Sequence, residues 1–475
     1  MKHHFSRLFV ISFFVLSCLS NAAKAQFISI VNKTFVVNGS ASCPIYFNGA
    51  NTPWDRWNDF GSNNYNPSFW ASHFKTLKDN GLNSTRIWFT CNGSGQPNIN
   101  SSGITTSVSD KFWQDCDHLF QQAQANGIYV MATIMSFDHT KENNIQNSNA
   151  NHWRAMLNSE ANVKSYVDNF VVPFVNRYKN NPYLFSIDAC NEIEWIYENR
   201  NSGNSNDKNW SGATYAILQR YVAMVASGVH NNPRADGSSV LVTLGSAATK
   251  WNGTKMRNGA NGSGWQNNPD GNKWSDAALK AQYNQDNAVL DYYSPHYYAW
   301  IDQYFSNPFD KSPTDFGMDE KPCLIGETPA GNPGTPNLEV LASYEALRNK
   351  GWQGHFPWTS NGVDNLGNIS KFGSAALAFT NAHVDLVRPN CQITNVVDVQ
   401  KASSVAAYPN PFTSAGLNIL HKGDFQYHIT DARGIIVEQS KGSNTKTVGL
   451  SLPSGIYILT IDNEQGSTIL KVEKE

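Results

Sequence analysis

Short apolar runs alternate with longer amphipathic stretches along most of the chain, from about residue 26 to residue 391. Each run has the length of a buried strand, and each stretch repeats apolar residues at the spacing of a helix with one buried face. The predicted strands are 44–49, 82–89, 128–136, 184–190, 240–246, 289–295, 322–326 and 351–358. The predicted helices are 69–81, 110–127, 162–179, 210–230, 276–286 and 339–350.

Repeated strand–helix alternation is typical of a parallel sheet with helices on its outside. About eight units over roughly 365 residues fit an α/β fold of the (β/α)8 type, a TIM barrel, better than an open doubly wound sheet. No predicted strand is followed by a Gly-rich phosphate loop, which argues against a dinucleotide-binding fold. Two long tryptophan-bearing segments, 195–209 and 251–274, follow strands on the side where barrel active sites lie.

The two ends of the chain depart from this pattern. A basic start, an apolar run over 8–19 and small residues up to Ala25 predict a signal peptide cleaved near Ala25, because the run is too short to span a membrane. Near the other end, short alternating strands separated by turns predict a small all-β, immunoglobulin-like sandwich. The predicted order is a signal peptide over 1–25, a barrel over 26–394, a linker over 395–407 and the sandwich over 408–475.

The composition narrows the functional classes. With 36 Lys and Arg against 38 Asp and Glu in 475 residues, the chain has no basic field for nucleic acid and no polybasic membrane patch. A mean hydropathy of −0.44 indicates neither an integral membrane protein nor a disordered one. The 14 Trp, 19 Tyr and 25 Phe suit a neutral, polyhydroxylated ligand such as a glycan, although core packing explains such an excess equally well.

Six cysteines remain after the predicted signal peptide, and export permits disulfides. Cys190 and Cys323 lie in strand-like apolar runs, where free buried thiols are expected. Cys91 and Cys116 are the candidate pair for a bridge, although spacing does not fix the connectivity. No cysteine or histidine pair has the spacing of zinc ligands, so the sequence predicts no metal site.

Two glutamates end two of the predicted strands. Hydrolysis of a glycosidic bond requires one protonated carboxyl group and one ionised group, which either attacks the anomeric carbon or activates water. Glu192 ends the fourth strand and Glu327 ends the seventh. Strands four and seven lie on opposite sides of an eight-stranded barrel, so these acids can face each other across its mouth. Glu194 lies beyond the fourth strand and is predicted to be a loop or subsite residue.

Polar and aromatic residues at other strand ends strengthen this prediction. Arg86 on the second strand needs a carboxylate partner, for which Asp188 and Glu327 are the candidates. The other candidate substrate-binding residues are Asn191, His296, Tyr298, Trp358 and Trp54. The structural alternatives are an ion pair for the arginine, a hydrogen-bonded buried cluster for the histidine and tyrosine, and core packing for the tryptophans.

These features resemble the clan A glycoside hydrolases, and most closely glycoside hydrolase family 5, over residues 27–386. The resemblance rests on Arg86, Asn191-Glu192, His296-x-Tyr298, Glu327 and Trp358. It implies a retaining mechanism with Glu192 as acid/base and Glu327 as nucleophile, and no metal or organic cofactor. The sequence departs from the family pattern in having Ile193, not proline, after Asn-Glu, and in lacking a clear strand-three histidine, since His139 comes late.

The C-terminal segment resembles the sorting domain of type IX secretion substrates. The resemblance rests on the YPNPF opening at 408–412, the D-x-x-G turn at 431–434, LPSGIY at 452–457 and a lysine-rich end. It implies a secreted or cell-surface protein that the type IX secretion machinery recognises. The alternative is a carbohydrate-binding sandwich, but this segment has no tryptophan for a sugar platform.

The predicted substrate is a β-1,4-linked polysaccharide or oligosaccharide, cut by a protein expected to be a monomer. The candidate ring platforms are Trp54, Trp57, Trp195, Trp251, Trp265, Trp274 and Trp300. Such a neutral cleft suits glucan and mannan alike, and an endo-β-1,4-glucanase is favoured over an endo-β-1,4-mannanase. A non-catalytic glycan-binding barrel is the alternative from another class, although it would not need both glutamates.

Overall fold

The three-dimensional structure is a computed structural model of the chain. It describes residues 26–141, 149–255, 271–303, 306–331, 339–391, 405–431, 434–463 and 466–475. The predicted signal peptide, Trp265 and most of the predicted linker lie outside the described residues. The chain divides into two compact units, Met1–Gln392 and Ile393–Glu475.

A parallel sheet forms the centre of the first unit. The strands of this unit are β1 (Ile28–Val31), β2 (Thr34–Val37), β3 (Phe47–Asn51), β4 (Ser84–Trp88), β5 (Asn98–Ile99), β6 (Thr105–Ser107), β7 (Tyr129–Thr133), β8 (Leu184–Asn191), β9 (Leu241–Gly245), β10 (Ile325–Pro329) and β11 (Gly354–Trp358). In the described part of the chain, seven of them are parallel, in the order β10-β11-β3-β4-β7-β8-β9. Every residue of β4, β7, β8, β9 and β11 is buried, as expected of strands covered on both faces.

The segment 289–297 closes the sheet into a barrel. The sequence predicts a strand here, but the structure has an irregular segment that bonds to both edges of the sheet. The N–H of Asp291 donates to the carbonyl of Val242 on β9 at 2.8 Å, and the carbonyl of Tyr293 accepts an N–H just before β10 at 3.0 Å. Pro295 has no N–H and interrupts a regular ladder. The predicted (β/α)8 barrel is therefore confirmed, with one strand position filled irregularly.

Helices cover the outside of the barrel. They are α1 (Pro67–Asp79), α2 (Asp110–Asn126), α3 (Ala150–Asn158), α4 (Glu160–Tyr166), α5 (Val172–Tyr178), α6 (Glu194–Glu198), α7 (Tyr215–His230), α8 (Asp276–Gln282), α9 (Pro313–Phe316), α10 (Val340–Asn349), α11 (Gly373–Ala382) and α12 (Val384–Val387). The Thr214 side chain accepts the N–H of Ile217 and caps α7, which therefore begins later than the predicted residue 210. No helix among the described residues is both long and apolar enough to cross a membrane.

Two apolar layers hold the barrel together. The larger layer lies between the sheet and the helices and contains, among others, Trp70, Phe112, Leu119, Phe174 and Tyr344. A smaller layer fills the barrel interior near the amino ends of the strands, where Phe47 stacks on Phe185 with 4.4 Å between ring centroids. The barrel is thus solid at one end, which leaves the carboxyl ends of the strands for a cavity.

A disulfide joins Cys43, which precedes β3, to Cys391, which follows α12. The candidate bridge between Cys91 and Cys116 is therefore wrong, and both of these thiols are free and buried. Cys116 packs on the core face of α2, whereas Cys91 lies in a separate cluster with three tryptophans. The predicted free thiols on β8 and just before β10 are confirmed.

The strands of the second unit pair in antiparallel fashion. They are β12 (Val405–Tyr408), β13 (Leu417–Thr430), β14 (Ile436–Val448), β15 (Gly455–Asn463) and β16 (Gly466–Lys474). β13 pairs with β12, β14 and β15, and β16 continues the sheet beyond β15. Alternate residues of β15, Tyr457, Leu459 and Ile461, face a core that belongs to this unit. The all-β prediction is confirmed, although residues 405–407, assigned to the linker, begin β12.

Candidate active site

The carboxyl ends of the barrel strands surround an open cavity of about 420 Å³. Its lining residues are Trp54, Trp57, Trp88, Phe137, Asp138, Lys141, Asn191, Glu192, Trp195, Ala247, Tyr298, Trp300, Glu327, Trp358, Asp364 and Leu366. Two further residues singled out in the sequence, Arg86 and His296, are fully buried beneath the cavity. The structure thus brings together both candidate catalytic glutamates and the six candidate substrate-binding residues, Arg86, Asn191, His296, Tyr298, Trp358 and Trp54.

Arg86 on β4 is the hydrogen-bonding centre of the site. Its Nε donates to Asp188 Oδ2 at 2.9 Å, and its Nη1 donates to Glu327 Oε1 at 2.7 Å. Its remaining donors reach Asn51 Oδ1 at 3.1 Å and Asn191 Oδ1 at 2.9 Å. Both carboxylates considered from the sequence are therefore its partners. Because a guanidinium does not lose its proton in proteins, the site contains one fixed positive charge.

Glu192 directly follows β8, at a φ of 46° that is unfavourable for a residue with a side chain. Its N–H donates to the carbonyl of Gly245 at 2.7 Å. Its Oε1 lies 2.9 Å from His296 Nδ1, and its Oε2 accepts the indole N–H of Trp195 at 2.9 Å. Burial raises the pKa of Glu192 to about 7, against the hydrogen bond from Trp195 and the charge of Arg86. Glu192 therefore holds a proton below neutral pH.

Glu327 lies inside β10, because this strand begins three residues later than the predicted one. Its Oε1 accepts from Arg86, and its Oε2 accepts the hydroxyl of Tyr298 at 2.7 Å. Burial raises the pKa of Glu327, but Arg86 and Tyr298 bind its charged form. Because Arg86 bonds to Glu327 and not to Glu192, we assign the negative charge of the pair to Glu327. One oxygen of each carboxylate lies within 4.8 Å of the other.

His296 is neutral in this site, because burial lowers its pKa to about 4. Its Nδ1 shares one hydrogen bond with Glu192 Oε1, which the imidazole donates when Glu192 is ionised and the carboxyl group donates when Glu192 is protonated. Gly245 at the end of β9 packs against the same ring. A Cβ at this position would lie 2.7 Å from Arg86 Nη2 and 3.0 Å from His296 Nε2, so only glycine fits. Gly245 was not predicted, because nothing in a lone strand-end glycine indicates which side chains approach it.

Four tryptophans form one wall of the cavity. Trp54, Trp57 and Trp358, all singled out in the sequence, are joined by Trp88. The ring centroids are 4.5 Å apart for Trp54 and Trp57, 5.1 Å for Trp54 and Trp88, and 5.7 Å for Trp88 and Trp358. Trp88 was missed, although it follows Arg86 by two residues and therefore shares its face of β4. These rings pack on one another and present their edges and faces to the cavity.

The opposite wall contains Trp195 and Trp300, whose ring centroids are 6.1 Å apart. Trp300 is the more open of the two, with 39% of its surface exposed. The prediction that Trp251 and Trp274 are ring platforms is wrong, since they are 1% and 0% exposed and do not line the cavity. Their indoles pack beneath the loops that follow β8 and β9.

A charged group at the rim of the cavity was also missed. Lys141 Nζ lies 2.9 Å from Asp138 Oδ1 and 4.5 Å from the ring centroid of Phe137. Across the cavity, burial and the charge of Asp138 raise the pKa of Asp364. Their positions in the sequence could have identified these residues. Phe137, Asp138 and Lys141 follow β7 and Asp364 follows β11, so all four come after the carboxyl ends of barrel strands.

Two other residues considered in the sequence lie away from the cavity. His139 is buried, with its Nε2 3.1 Å from Thr90 Oγ1 and its ring edge-on to Trp153. Glu194 is also fully buried, and its Oε1 accepts the indole N–H of Trp274 at 2.6 Å. The interpretation of Glu194 as a loop or subsite residue is therefore wrong, because helix α6 turns its side chain inward.

A barrel with two close carboxylates at its strand ends, between aromatic walls, has the site of a retaining glycoside hydrolase. Residues 41–361 match the family model described as cellulase, glycosyl hydrolase family 5. The chain belongs to glycoside hydrolase family 5 and is a retaining glycoside hydrolase. Residues 406–475 match the secretion system C-terminal sorting domain, which directs the protein to secretion or the cell surface. Both resemblances noted in the sequence are therefore confirmed.

Two relatives of the chain carry the same enzyme name. The chain is 25% identical over 367 residues to a mannan endo-1,4-beta-mannosidase of Cryptopygus antarcticus, covering 72% of this chain and 86% of the relative. It is also 25% identical over 338 residues to a mannan endo-1,4-beta-mannosidase of Mytilus edulis, covering 67% and 84%.

The solved structures that resemble the barrel share its fold. The β-mannanase of the blue mussel Mytilus edulis has a TM-score of 0.60 at 22% identity, covering 75% of this chain and 97% of that one. The endo-1,4-β-mannanase of Eisenia fetida has a TM-score of 0.61 at 20% identity, covering 74% and 94%.

Proposed function

We propose that the protein is an exported endo-β-1,4-mannanase that hydrolyses its substrate by double displacement. The observation that carries the mechanism is the pair of carboxylates within 4.8 Å of each other, since retaining glycosidases hold their acids about 5 Å apart. The sequence analysis favoured β-1,4-glucan as substrate. The names of both curated relatives support mannan instead. The neutral, aromatic-walled cleft accommodates either polymer.

In the first step, the ionised carboxylate of Glu327 attacks the anomeric carbon of the sugar. The bond from this carbon to the leaving oxygen breaks, and Glu192 transfers its proton to that oxygen. Arg86 and Tyr298 hold Glu327 by both of its oxygens, so the nucleophile is oriented before the substrate arrives. The product of this step is a glycosyl ester on Glu327 and a free sugar chain.

In the second step, Glu192 acts as a base. It takes a proton from water, the water oxygen bonds to the anomeric carbon, and Glu327 leaves as a carboxylate. Glu192 is suited to both tasks because its pKa is about 7, between the values that favour an acid and a base. Two inversions at one carbon leave the configuration retained.

Replacement of the two glutamates tests these roles. Glu192→Ala is expected to lower kcat on mannan by about 10²–10⁴-fold, the usual contribution of general acid–base catalysis. Glu327→Ala is expected to abolish turnover, because no other described group in the cavity occupies its place. Azide should restore turnover of an activated aryl mannoside by Glu192→Ala, since azide attacks the glycosyl ester without a base. Normal activity in either folded variant would contradict the assignment.

Parallel assays on galactomannan, glucomannan and carboxymethylcellulose test the substrate. We expect reducing ends to appear from both mannans, with viscosity falling early, as internal cleavage requires. Hydrolysis of carboxymethylcellulose alone would support the glucanase instead.

The organisation of the chain is proposed on the same basis. The barrel, 26–394, is assigned the catalysis, because all the site residues lie within it. The β-unit, 408–475, is assigned recognition by the type IX secretion machinery, on the strength of its sorting-domain match.

A further inference from the structure

Glu194 is a buried carboxylate for which the proposed mechanism has no use. A carboxylate removed from water costs several kcal/mol unless hydrogen-bond donors compensate it. Two of the donors to Glu194 are Trp274 Nε1, at 2.6 Å from its Oε1, and the N–H of Ala247, at 3.2 Å from its Oε2. Each donor leads back to Glu192 by a separate route.

The first route runs through the segment 245–247, which follows β9. The carbonyl of Gly245 accepts the N–H of Glu192 at 2.7 Å, and the carbonyl of Ser246 accepts the N–H of His296 at 2.8 Å. The bond from Ala247 to Glu194 holds the end of this segment. The segment therefore fixes the backbone of Glu192 and of the histidine that contacts it.

The second route runs through three tryptophans. Trp274 is fully buried, and the N–H of its neighbour Lys273 donates to the carbonyl of Trp251 at 2.9 Å. Trp251 packs edge-on against Trp195, with 5.5 Å between ring centroids. Trp195 in turn donates its indole N–H to Glu192 Oε2 at 2.9 Å. The bond from Trp274 to Glu194 thus secures the base of the loop that supports Trp195.

We propose that Glu194 is a positioning residue that holds Glu192 in its reactive orientation through Ala247 and Trp274. Glu192 needs such support because its left-handed backbone is unfavourable for a non-glycine residue and persists only where surrounding contacts enforce it. The inference rests on the proposed acid/base role of Glu192. In this proposal, helix α6 contributes to catalysis through the buried side chain of Glu194, which does not contact the substrate.

The test compares Glu194→Ala with Trp195→Phe and with the double variant. Glu194→Ala is expected to lower kcat by about 10–100-fold, as misplacement of a catalytic group does, with KM changed less than kcat. The alkaline limb of kcat/KM should move to higher pH in both single variants, because the charged form of Glu192 loses the donor Trp195. The double variant should show no further shift, since both changes break one chain of contacts.

The pH profile has to be interpreted against the other charges near Glu192. The titratable or charged groups around it are Arg86, Asp138, Lys141, His296, Tyr298 and Glu327. None of them is altered in these variants. Burial also raises the pKa of Glu194 itself to about 7, so Trp274→Phe is included as a variant that keeps this carboxyl group and removes only its donor. Trp274→Phe should also lower kcat and move the alkaline limb to higher pH. This variant tests the proposal if Glu194→Ala does not fold.

Glu198→Gln is the matched control, because Glu198 lies on the same short helix and bonds to the hydroxyl of Tyr215 outside the cavity. Its kcat and pH profile should equal those of the wild type. An unchanged kcat and limb in folded Glu194→Ala and Trp274→Phe would overturn the inference. A shift of the limb to lower pH would also overturn it, since that direction indicates an effect of charge on Glu192. Failure of the proposed function is distinct, and would appear as full activity in Glu192→Ala.

Discussion

At the scale of single residues, the hydrogen bonds around the two glutamates separate their roles. Glu327 has a guanidinium and a phenol as donors, which stabilise a charge. Glu192 has an indole and a neutral imidazole as its partners, and burial raises the pKa of both glutamates. Two residues of the same chemistry thus differ in protonation because their neighbours differ.

Tyr298→Phe tests the hydrogen bond to Glu327, the proposed nucleophile. A hydrogen bond to a charged group contributes about 1.5–3 kcal/mol, so we expect kcat/KM to fall about 10–100-fold. The acidic limb should move to higher pH, because the charged form of Glu327 loses a donor. Tyr297→Phe is the control, since that hydroxyl donates to Asp302 at 2.9 Å. Equal losses in the two variants would indicate a general effect of removing a buried hydroxyl.

The pH dependence of activity tests the protonation of Glu192. Glu192, the proposed acid, must hold a proton in the first step, and its pKa is about 7, so kcat/KM should decline as the pH rises through about 7. The charge of Asp138 raises this pKa and that of Lys141 lowers it. Asp138→Asn should therefore move the decline to lower pH, and Lys141→Gln should move it to higher pH. Rate profiles from pH 4 to 10 check this prediction, and shifts in one common direction would contradict it.

At the scale of elements, the strand ends do more than hold catalytic groups. The irregular segment 289–297 contains His296, and Tyr298 follows directly after it. A regular strand at this position would continue the hydrogen-bonded ladder of the sheet. β8 ends at Asn191, and the chain then turns through the strained Glu192 into α6. Departures from regular structure therefore coincide with the residues that contact the reacting pair.

The end of helix α7 offers a stability test away from the site. His230 Nε2 lies 2.9 Å from Asp291 Oδ2. Burial lowers the pKa of His230, but its bond to Asp291 and the aspartate charge outweigh this, and the net pKa is raised above 6.5. The stabilisation is complete below the unfolded value of 6.5 and is lost as the pH rises through the raised pKa.

His230→Asn should therefore cost about 1–3 kcal/mol of unfolding free energy at pH 6, the usual penalty for a buried polar group that loses its partner. The cost should be smaller at pH 9, where the histidine of the wild type is neutral. Urea unfolding of both proteins at the two pH values measures this difference. An identical cost at both values would show that the pair contributes nothing through its charge.

At the scale of the whole molecule, the Cys43–Cys391 disulfide joins the two ends of the barrel chain, 348 residues apart. Bridges that close long loops stabilise mainly by restricting the unfolded chain, typically by about 2–5 kcal/mol. Reduction, or the double change Cys43→Ser with Cys391→Ser, should lower Tm by several degrees and leave kcat at 25 °C unchanged. Because Cys43 precedes β3, the disulfide lies at the amino ends of the strands, opposite to the cavity.

Cys323→Ser provides the control for this prediction, because Cys323 is a buried free thiol. Its Tm should still fall on addition of reductant, whereas the Tm of the double variant should not respond. A wild-type Tm that is the same with and without reductant would contradict the stabilising role of the bridge.

The monomeric state of the protein stays a prediction from the sequence.

The barrel, the all-β C-terminal unit and the positions of the two glutamates could be predicted without a structure. These features follow from local periodicity: buried strands and amphipathic helices have distinct repeats, and polar residues at strand ends interrupt an apolar run. The sequence also identified Arg86 and both of its candidate partners, because a buried cation needs carboxylates.

The tertiary structure alone decided which distant residues meet. The disulfide partners, the four-tryptophan wall, the required Gly245 and the burial of Glu194, Trp251 and Trp274 depend on how separate loops pack. The identity of a single residue does not indicate these contacts, since the same glutamate or tryptophan can face solvent, the core or a cavity. The choice between mannan and glucan stays a proposal for the same reason: the tryptophans counted in the sequence form platforms only where the fold exposes them, and composition does not distinguish the two polymers.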